Sequence, residues 1–466
     1  MFDIHGIVDL AEDARVNGEE FAARIAARAA VIAPHVRGDA RHVFIAHGNS
    51  IAFFVDLFAV WQAGGCAVCL NQGLTLAEFT RLVEFVEPVC VLVRDGTAAS
   101  GFDFAGLPAF EVLETSQSEV HPAPWALDDP ALMLFTSGTT GAPKGVTLSR
   151  RAVLARVALN TAHIGSEILA RTMNVLPTHF GHGLIGNCLT PLSAGGTLFL
   201  NPAQGVATAA DVGKTIDANA ITFMSSVPGF WKLALRVSGQ PDTGSLKRIS
   251  VGSAPLSLGL WQDIAKWSGA DVWNMYGLTE TANWVGGTNN PCENALGKLW
   301  GGQAAVRDED GSVRSQGEGE LLLRVPSLMT AYFKRPDLTE DVLQHGWYRT
   351  GDMGRVDKEG LHLLGRARYM INVDGTKIYP EEIDLFFETH DAIHEACAFA
   401  IPDPVSGERL ALAVAGAALP DVRTLLDWAR GKIRAEALPQ KVFAMDAIPK
   451  TDRGKINRDQ VRDHAY

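Results

Sequence analysis

Residues 134–146 read LFTSGTTGAPKGV, an apolar run followed by hydroxyl-bearing residues and glycines and then one lysine. The apolar letters are typical of a strand, so the small, hydroxylated residues form the loop that follows it. Backbone amides freed by glycine, together with hydroxyls and an ammonium group, suit an oxyanion such as a phosphate. The Walker nucleotide loop is excluded, because Gly145 follows Lys144 where that loop has the hydroxyl that holds magnesium.

The bulk composition is ordinary for a globular protein and narrows the function only slightly. A chain of 466 residues predicts about two to four domains. There are 53 acidic against 41 basic residues and a net charge of −12, which argues against non-specific nucleic-acid binding. The acidic start lacks a signal-peptide pattern and no apolar run is long enough to span a membrane, so we predict a soluble, cytoplasmic protein.

Six cysteines are sparse for this length and fit a reducing compartment. Cys66 and Cys69 form a C-x-x-C within the strand-like segment GGCAVCLN, and no second Cys or His pair stands at metal spacing. We therefore predict that these two thiols are packed in the core rather than bound to zinc or used in redox chemistry.

Short apolar runs alternate with helix-like stretches over most of the chain. Asn17 and Glu20 resemble a capping box, and the apolar spacing that follows predicts an amphipathic helix over residues 18–33. The clearest strands are predicted at residues 43–47, 89–93, 132–135, 197–200, 221–224 and 249–251. This alternation predicts an α/β fold with largely buried parallel strands.

The later part of the chain is richer in predicted strands and ends in a small α/β pattern of its own. Strands are predicted at residues 319–325, 361–365, 396–402, 410–416 and 441–445, and a helix around residues 422–435. We place the domain boundary near Gly365, which gives domains of residues 1–365 and 366–466.

The string TSGTTGAPKG resembles the phosphate loop of the adenylate-forming superfamily, which comprises acyl-CoA synthetases, luciferases and the adenylation domains of peptide synthetases. Further motifs of that family follow in its order: Gly252-Ser253-Ala254-Pro255, Tyr276-Gly277-Leu278-Thr279-Glu280, Tyr348-Arg349-Thr350-Gly351-Asp352, Gly365-Arg366 and Pro449-Lys450-Thr451-Asp452-Arg453-Gly454-Lys455. The chain looks most like a stand-alone acyl- or aryl-CoA ligase. The resemblance implies a large N-terminal domain of stacked sheets and helices and a small, mobile α+β C-terminal lid domain.

The chemistry that this resemblance implies explains why such residues are needed. A carboxylate is a poor acylating agent, so the family lets it attack the α-phosphorus of ATP and form an acyl-adenylate with release of pyrophosphate. The acyl group then passes to a thiol. Negative charge accumulates around phosphorus in the first step, so catalysis depends on positioning and on cations. The implied cofactors are ATP, Mg²⁺ and a thiol acceptor.

The resemblance also assigns roles to individual residues. Phosphate contacts fall on Thr136, Ser137, Gly138, Thr139, Thr140 and Lys144. Thr279 would bind the α-phosphate and Glu280 would ligate Mg²⁺. Asp352 would accept both ribose hydroxyls, with Arg366 beside the ribose and phosphate. The remaining nucleotide contacts fall on Ser253, Ala254, Asn274, Tyr276 and Gly277, of which Ser253, Ala254 and Tyr276 would enclose the adenine. Outside the family context these would be ordinary turn and core residues.

By the same resemblance, Lys455 is the catalytic lysine, although composition alone would place it in a solvated basic tail. It would enter from the small domain and bridge the substrate carboxylate and the α-phosphate. Arg368 stands at the hinge, where relatives generally carry Asp or Lys, and Gly375 would border the tunnel for a pantetheine thiol. Asn372 and Asp374 depart from the family pattern in that segment.

Residues 176–196 resemble the acid-binding stretch of the family. His179 or His182 would lie near the substrate carboxylate, and either could equally be structural. The predicted acid pocket consists of His179, Phe180, His182, Gly183, Gly252 and Trp284. Glycines 181, 183 and 186 either leave room for an aromatic ring or serve as backbone hinges.

Charge patterning predicts the nature of the acid. Residues 172–210 contain no Asp, Glu, Lys or Arg, and Glu280 is the one charged residue in the segments 223–230 and 276–285. Because an unpaired buried charge is costly, the substrate tail is predicted to be neutral and apolar, either aryl or short-to-medium aliphatic.

The sequence also bears on the identity of the acyl acceptor and on two alternative classes of protein. The sequence ends eleven residues after Lys455 without a fused carrier domain, so coenzyme A is the expected thiol and a discrete acyl-carrier protein the alternative. A phosphate-loop NTPase or kinase would form ADP instead of AMP. A catalytically inactive relative would be expected to lack Lys455, Glu280 or Asp352, and all three are present.

Overall fold

The computed structural model describes residues 4–95, 97, 103–112, 126–136, 143–201, 205–292, 294–373, 376–403, 407–451 and 454–465. Five residues with predicted roles lie outside this part of the chain: Ser137, Gly138, Thr139, Thr140 and Gly375. Within it, none of the helices combines the length and apolar character that crossing a bilayer demands.

Strands and helices alternate through the first half of the chain and strands predominate after residue 270. The strands are β1 (Gly6–Asp9), β2 (Ala14–Asn17), β3 (His42–Ile45), β4 (Cys66–Cys69), β5 (Cys90–Val93), β6 (Ala109–Glu111), β7 (Pro130–Thr136), β8 (Lys144–Ser149), β9 (Arg171–Asn174), β10 (Thr197–Leu200), β11 (Phe223–Ser226), β12 (Arg248–Gly252), β13 (Asp271–Leu278), β14 (Asn283–Thr288), β15 (Ala295–Leu299), β16 (Gln303–Arg307), β17 (Val313–Arg314), β18 (Gly317–Arg324), β19 (Ala331–Tyr332), β20 (Leu343–Gln344), β21 (Trp347–Asp357), β22 (Gly360–Arg366), β23 (Ile371–Val373), β24 (Thr376–Ile378), β25 (Glu395–Asp403), β26 (Gly407–Ala415) and β27 (Lys441–Ala444).

The helices complete the architecture. They are α1 (Gly18–Ile32), α2 (Ile51–Gln62), α3 (Leu76–Val86), α4 (Arg150–Ile164), α5 (Ser166–Leu169), α6 (Thr190–Ser193), α7 (Val206–Ala218), α8 (Pro228–Val237), α9 (Leu258–Ser268), α10 (Pro336–Val342), α11 (Pro380–Phe387), α12 (Val422–Ala429) and α13 (Arg458–Ala465). A π-helix spans His182–Leu189, and a 3₁₀ turn spans Thr279–Thr281. Helix α1 confirms the predicted helix, with the Asn17 side chain accepting the amide of Glu20.

The largest sheet runs in the order β17-β16-β18-β21-β22-β15-β14-β13-β12-β11-β9-β10-β1-β2, and β20 pairs with β21. From β1 through β10, β9, β11 and β12 to β13 the neighbours are parallel. From β13 to β18 the pairings are antiparallel. The parallel half matches the predicted α/β alternation, and the antiparallel half matches the predicted β-rich section.

A second sheet, in the order β19-β8-β7-β4-β3-β5-β6, carries the strand before the phosphate loop. Cys66 and Cys69 begin and end its fully buried strand β4, and burial raises the pKa of the Cys66 thiol to about 12. No group of three His, Cys, Asp or Glu at metal-binding distance occurs among the described residues. The burial of both thiols agrees with their predicted packing in the core.

The third sheet, β24-β23-β26-β25 with β27 beside β26, draws its strands from residues 371 onward and has its own apolar core. Helix α12 ends at Ala429, earlier than the predicted end near residue 435, because Gly431 takes a left-handed conformation with φ of 72°. The mixed α/β architecture with a large N-terminal part and this smaller C-terminal part is as predicted. The exact domain boundary at residue 365 stays a prediction.

Two ion pairs link the small C-terminal part to the large one. Lys232 of α8 lies 2.7 Å from Glu388, just after α11. Lys377 of β24 pairs with Glu309, between β16 and β17. Both pairs are at least partly exposed to solvent.

Candidate active site

The site lies where several strands of the largest sheet end. The parallel strands β9, β11, β12 and β13 all finish at one edge, and the π-helix, Ser253 and the 3₁₀ turn with Glu280 follow there. In open α/β sheets, ligands bind at the carboxyl ends of the strands. The fold therefore brings together motifs that are up to about a hundred residues apart in sequence.

Asp352 is the centre of the first cluster. Its Oδ2 accepts a hydrogen bond of 2.6 Å from the Tyr276 hydroxyl, and its Oδ1 lies 2.8 Å from Nε of Arg366. Asp352 and Arg366 face each other in the register of β21 and β22. Burial, and then the Asp352 charge, raise the pKa of Tyr276, and the same carboxylate raises the pKa of Arg366. Tyr276 therefore remains a donor and Arg366 a cation.

This arrangement leaves capacity on Asp352 for a ligand. A carboxylate offers about four lone-pair directions, and Tyr276 and Arg366 occupy one on each oxygen. The remaining direction on each oxygen suits a vicinal diol such as that of a ribose. The structure thus places three predicted nucleotide contacts in one cluster.

Glu280 is the centre of a second cluster, and one of its members, Tyr332, lies outside the sequence motifs. Its Oε1 accepts a 2.8 Å hydrogen bond from Tyr332, whose hydroxyl is in turn hydrogen-bonded to Tyr348. Burial, and then the Glu280 charge, raise the pKa of both tyrosines. The Nζ of Lys144 lies 5.6 Å from the centre of the Tyr332 ring. The phosphate-loop lysine and the predicted metal ligand therefore share one neighbour.

The donor set around Glu280 fits magnesium. Mg²⁺ prefers hard oxygen ligands and is commonly held by one or two carboxylates plus the phosphates of a substrate. Glu280 keeps Oε2 for such an ion while Tyr332 orients the carboxylate through Oε1. Thr279, the residue before it, is half-buried at the start of the same 3₁₀ turn.

We predict that Tyr332→Phe raises the Mg²⁺ concentration needed for half-maximal activity by about tenfold, because a carboxylate that loses its orienting partner binds metal less well. The measurement is a magnesium titration of pyrophosphate release at saturating ATP. Tyr379→Phe, in a tyrosine near the small sheet, serves as the control and should leave the titration unchanged. Equal magnesium requirements in wild type and Tyr332→Phe would contradict the positioning role.

His182 is held in one orientation at the start of the π-helix. Its Nε2 lies 2.6 Å from Oγ of Ser225, and its Nδ1 lies 2.8 Å from Oγ of Ser253. The Ser225 hydroxyl donates to the Ser250 carbonyl at 2.9 Å, so it accepts from His182, and the proton sits on Nε2. Ser253 then donates to Nδ1. Ser253 itself takes a left-handed conformation with φ of 70°.

Lys455 lies close to this histidine. Burial is the main cause that lowers the pKa of His182 from 6.5 to about 3, and the positive charge of Lys455 is the second. The lysine predicted to be catalytic is therefore within electrostatic reach of the predicted acid-binding histidine. Because its pKa is lowered, His182 is neutral near pH 7, and Lys455 stays the predicted cation at this end of the predicted pocket.

The lowered pKa of His182 predicts how the free energy of unfolding depends on pH. An unfolded chain protonates His182 near pH 6.5, whereas the folded chain resists protonation until about pH 3, so its contribution is complete above pH 6.5 and is lost as the pH falls from there. Urea unfolding between pH 7.5 and pH 5 should show a steeper loss of stability in wild type than in His182→Gln. His394→Gln, in an exposed histidine, is the control, and parallel curves for wild type and His182→Gln would contradict the prediction.

The other predicted residues take varied positions. Asn274 is buried and donates to the Ala295 carbonyl at 2.9 Å. Gly277 sits at a register shift of β13, where a Cβ would lie 2.3 Å from the Asn283 carbonyl oxygen. The rings of His179 and Phe180 have their centres 4.0 Å apart. Arg368 pairs with Asp459 of α13 at 3.1 Å.

Sequence reasoning missed several neighbours of the predicted site. Tyr332, Ser225 and Ser250 support Glu280 and His182 through hydrogen bonds, but each is far from its partner in sequence. Arg248 was also missed: it is buried, and its guanidinium lies 3.9 Å from the Trp273 ring centre. It begins β12, whereas the site lies at the other end of that strand, beyond Gly252.

The clusters around Asp352, Glu280 and His182 are compatible with the ribose, metal and acid sites that the motifs predict. Comparison with known families agrees. The model of the AMP-binding enzyme family matches residues 4–333, and that of the AMP-binding enzyme C-terminal domain matches residues 382–455. The chain belongs to the family of AMP-binding enzymes.

Individual relatives extend this result. The oxalate–CoA ligase of Arabidopsis thaliana is 30% identical, with 89% of this chain and 87% of that protein covered. The indoleacetate–CoA ligase of Aromatoleum aromaticum is 32% identical, with 89% and 86% covered. Among solved structures, ATP-bound MatB from Rhodopseudomonas palustris shares the fold with a TM-score of 0.89 at 24% identity, covering 100% of this chain and 96% of that one.

Proposed function

We propose that the chain is an AMP-forming acid–CoA ligase that activates a neutral-tailed carboxylic acid with MgATP and transfers the acyl group to coenzyme A. Its family and its CoA-ligase relatives support this reaction. The observation that carries the proposal is that the positive charge of Lys455, from the C-terminal part of the chain, helps to lower the pKa of His182 in the predicted acid pocket.

In the first half-reaction the acid carboxylate attacks the α-phosphorus of ATP. Lys455 stabilises the charge that builds up between these two groups, and Thr279 binds the α-phosphate. Asp352 holds the ribose, while Tyr276 and Arg366 hold Asp352. Glu280 would hold Mg²⁺, and the ion would supply positive charge to the phosphates. Each of these contributions is positional or electrostatic, which suits a displacement at phosphorus.

The acid is proposed to carry no charge beyond its reacting carboxylate. The side chains in contact with His182 include the hydroxyls of Ser225 and Ser253 and the indole of Trp284, all of them uncharged. Burying a second charge against such groups would be costly. The oxalate and indoleacetate ligases act on dissimilar acids, so relatives alone leave the acid open.

Coenzyme A is the proposed acceptor because the relatives with assigned substrates are named as CoA ligases. The predicted hinge at Arg368 gives the small domain a point at which to turn between the two half-reactions. A discrete acyl-carrier protein is the other outcome that an experiment must exclude. A cytoplasmic location suits a protein that uses ATP and coenzyme A.

The experiment supplies purified protein with MgATP, a panel of carboxylic acids and either coenzyme A or a phosphopantetheinylated carrier protein. Pyrophosphate and AMP are quantified, and the thioester is identified by mass spectrometry. Acid-dependent AMP with an acyl-CoA product supports the proposal. Formation of ADP, or a thioester on the carrier protein alone, would contradict it.

A further inference from the structure

Trp284 lies directly against His182 in the predicted acid pocket. It belongs to β14, and its ring meets that of His182 edge-on, with ring centres 5.2 Å apart and planes at 73°. On one side it contacts the π-helix, where a Cβ on Gly186 would lie 3.0 Å from Cη2 of the indole. On the other it reaches β12, where a Cβ on Gly252 would lie 3.6 Å from Nε1.

The glycines around this ring therefore make room for the protein's own side chain. A residue larger than glycine at position 186 would collide with both Trp284 and Asn283, whose Nδ2 lies 2.0 Å from the Cβ position. Gly183 is likewise needed for close packing, since its Cβ would lie 2.2 Å from the Pro177 carbonyl oxygen. For Gly183 and Gly186, therefore, neither a substrate ring nor a hinge is required as an explanation, whereas a Cβ on Gly181 would meet only Leu134 at 3.6 Å.

The indole is also fixed in place. Trp284 is 2% exposed, so almost none of its surface is left for further contacts. Its inner side belongs to a buried apolar cluster that includes Met275, Phe223 and Trp300. Its outer neighbour His182 is tied to two serines, Ser225 and Ser253. Moving the ring aside would disturb all of these contacts, and well-packed aromatic side chains resist such displacement.

We infer that Trp284 closes the acid pocket directly behind the carboxylate site, so that the enzyme activates small acids with a tail of only a few atoms. The inference rests on the proposed function, because it assumes that the carboxylate lies between Lys455 and His182. Longer aliphatic and aryl acids are excluded by the indole itself. Removing it would join the pocket to the apolar cluster around Met275 and Trp300, which suits a longer neutral tail.

The test compares wild type with Trp284→Ala on acetate, propionate, butyrate, hexanoate and benzoate, with pyrophosphate release and AMP as readouts. For wild type, kcat/KM should fall at least about 100-fold between propionate and hexanoate, because an overlong tail must displace packed atoms. For Trp284→Ala, kcat/KM for hexanoate should rise at least about tenfold while that for propionate falls. Trp284→Phe, which keeps an aromatic packing partner, should shift the preference towards butyrate and guards against misfolding of the alanine variant.

A control separates specificity from structure. Trp267→Ala removes another buried tryptophan, which packs in a different cluster around α9, and should change all acids by the same factor. If the wild-type enzyme forms AMP with hexanoate or benzoate at the same kcat/KM as with propionate, Trp284 does not close the pocket. The ligase function would be unaffected by that result. No AMP from any acid with wild type or either Trp284 variant would overturn the ligase function instead.

Discussion

Lys455→Ala is expected to lower acid-dependent pyrophosphate release by about 10²–10³-fold, the usual effect of removing one charge-stabilising donor. The reason is local: His182 is neutral because its pKa is lowered to about 3. It therefore cannot supply the positive charge that the lysine provides. The measurement is the initial rate of pyrophosphate release with saturating MgATP and the best acid.

The control for this variant is Lys450→Ala. Lys450 lies five residues earlier, pairs with Glu395 within the small domain and has no predicted contact with substrate. It should retain the wild-type rate. Thioester formation from chemically prepared acyl-adenylate should survive in Lys455→Ala, since that step no longer involves attack on ATP. Wild-type pyrophosphate release by Lys455→Ala would remove the lysine from the mechanism.

Asp352→Asn should lower kcat/KM for ATP by at least about 100-fold, because two hydrogen bonds from ribose hydroxyls to a charged acceptor are weakened at once. Tyr276 and Arg366 also lose the anion that orients them. Some loss of stability should accompany this effect, because the Asp352 side chain is 3% exposed and holds both Arg366 and Tyr276.

The matched control is Asp357→Asn at the end of the same strand, where the carboxylate pairs with Arg355 and His362 on the surface. It should leave the ATP dependence unchanged. Binding of ATP by calorimetry and steady-state kinetics would both register the difference. An Asp352→Asn enzyme with the wild-type KM for ATP would show that the ribose lies elsewhere.

Sequence alone predicted the order of strands and helices well, because buried parallel strands read as short apolar runs wherever they occur. The family motifs also assign roles to residues such as Asp352 and Glu280, and these roles stay predictions. Helix α12 was predicted too long, since its apolar spacing continues past Gly431, whose left-handed conformation ends it.

The supporting contacts could not be predicted, because they join residues without a shared motif. Tyr332 reaches Glu280 across 52 positions, and Ser225 reaches His182 across 43. Their meeting depends on the pairing of β19 with β8 and of β11 with β9. The packing of Trp284 against Gly186 could not be predicted either. A glycine that makes room for an indole and a glycine that makes room for a ligand are identical in sequence.

The two ion pairs between the small and large parts of the chain have a kinetic consequence. Solvent-accessible pairs such as Lys232–Glu388 and Lys377–Glu309 contribute only about 0–1 kcal/mol each and weaken as ionic strength rises. Such contacts would add little to the free-energy cost of moving the small part as the predicted lid, which the predicted withdrawal of Lys455 after adenylate formation requires. Added potassium chloride should then hasten the changeover that admits the thiol.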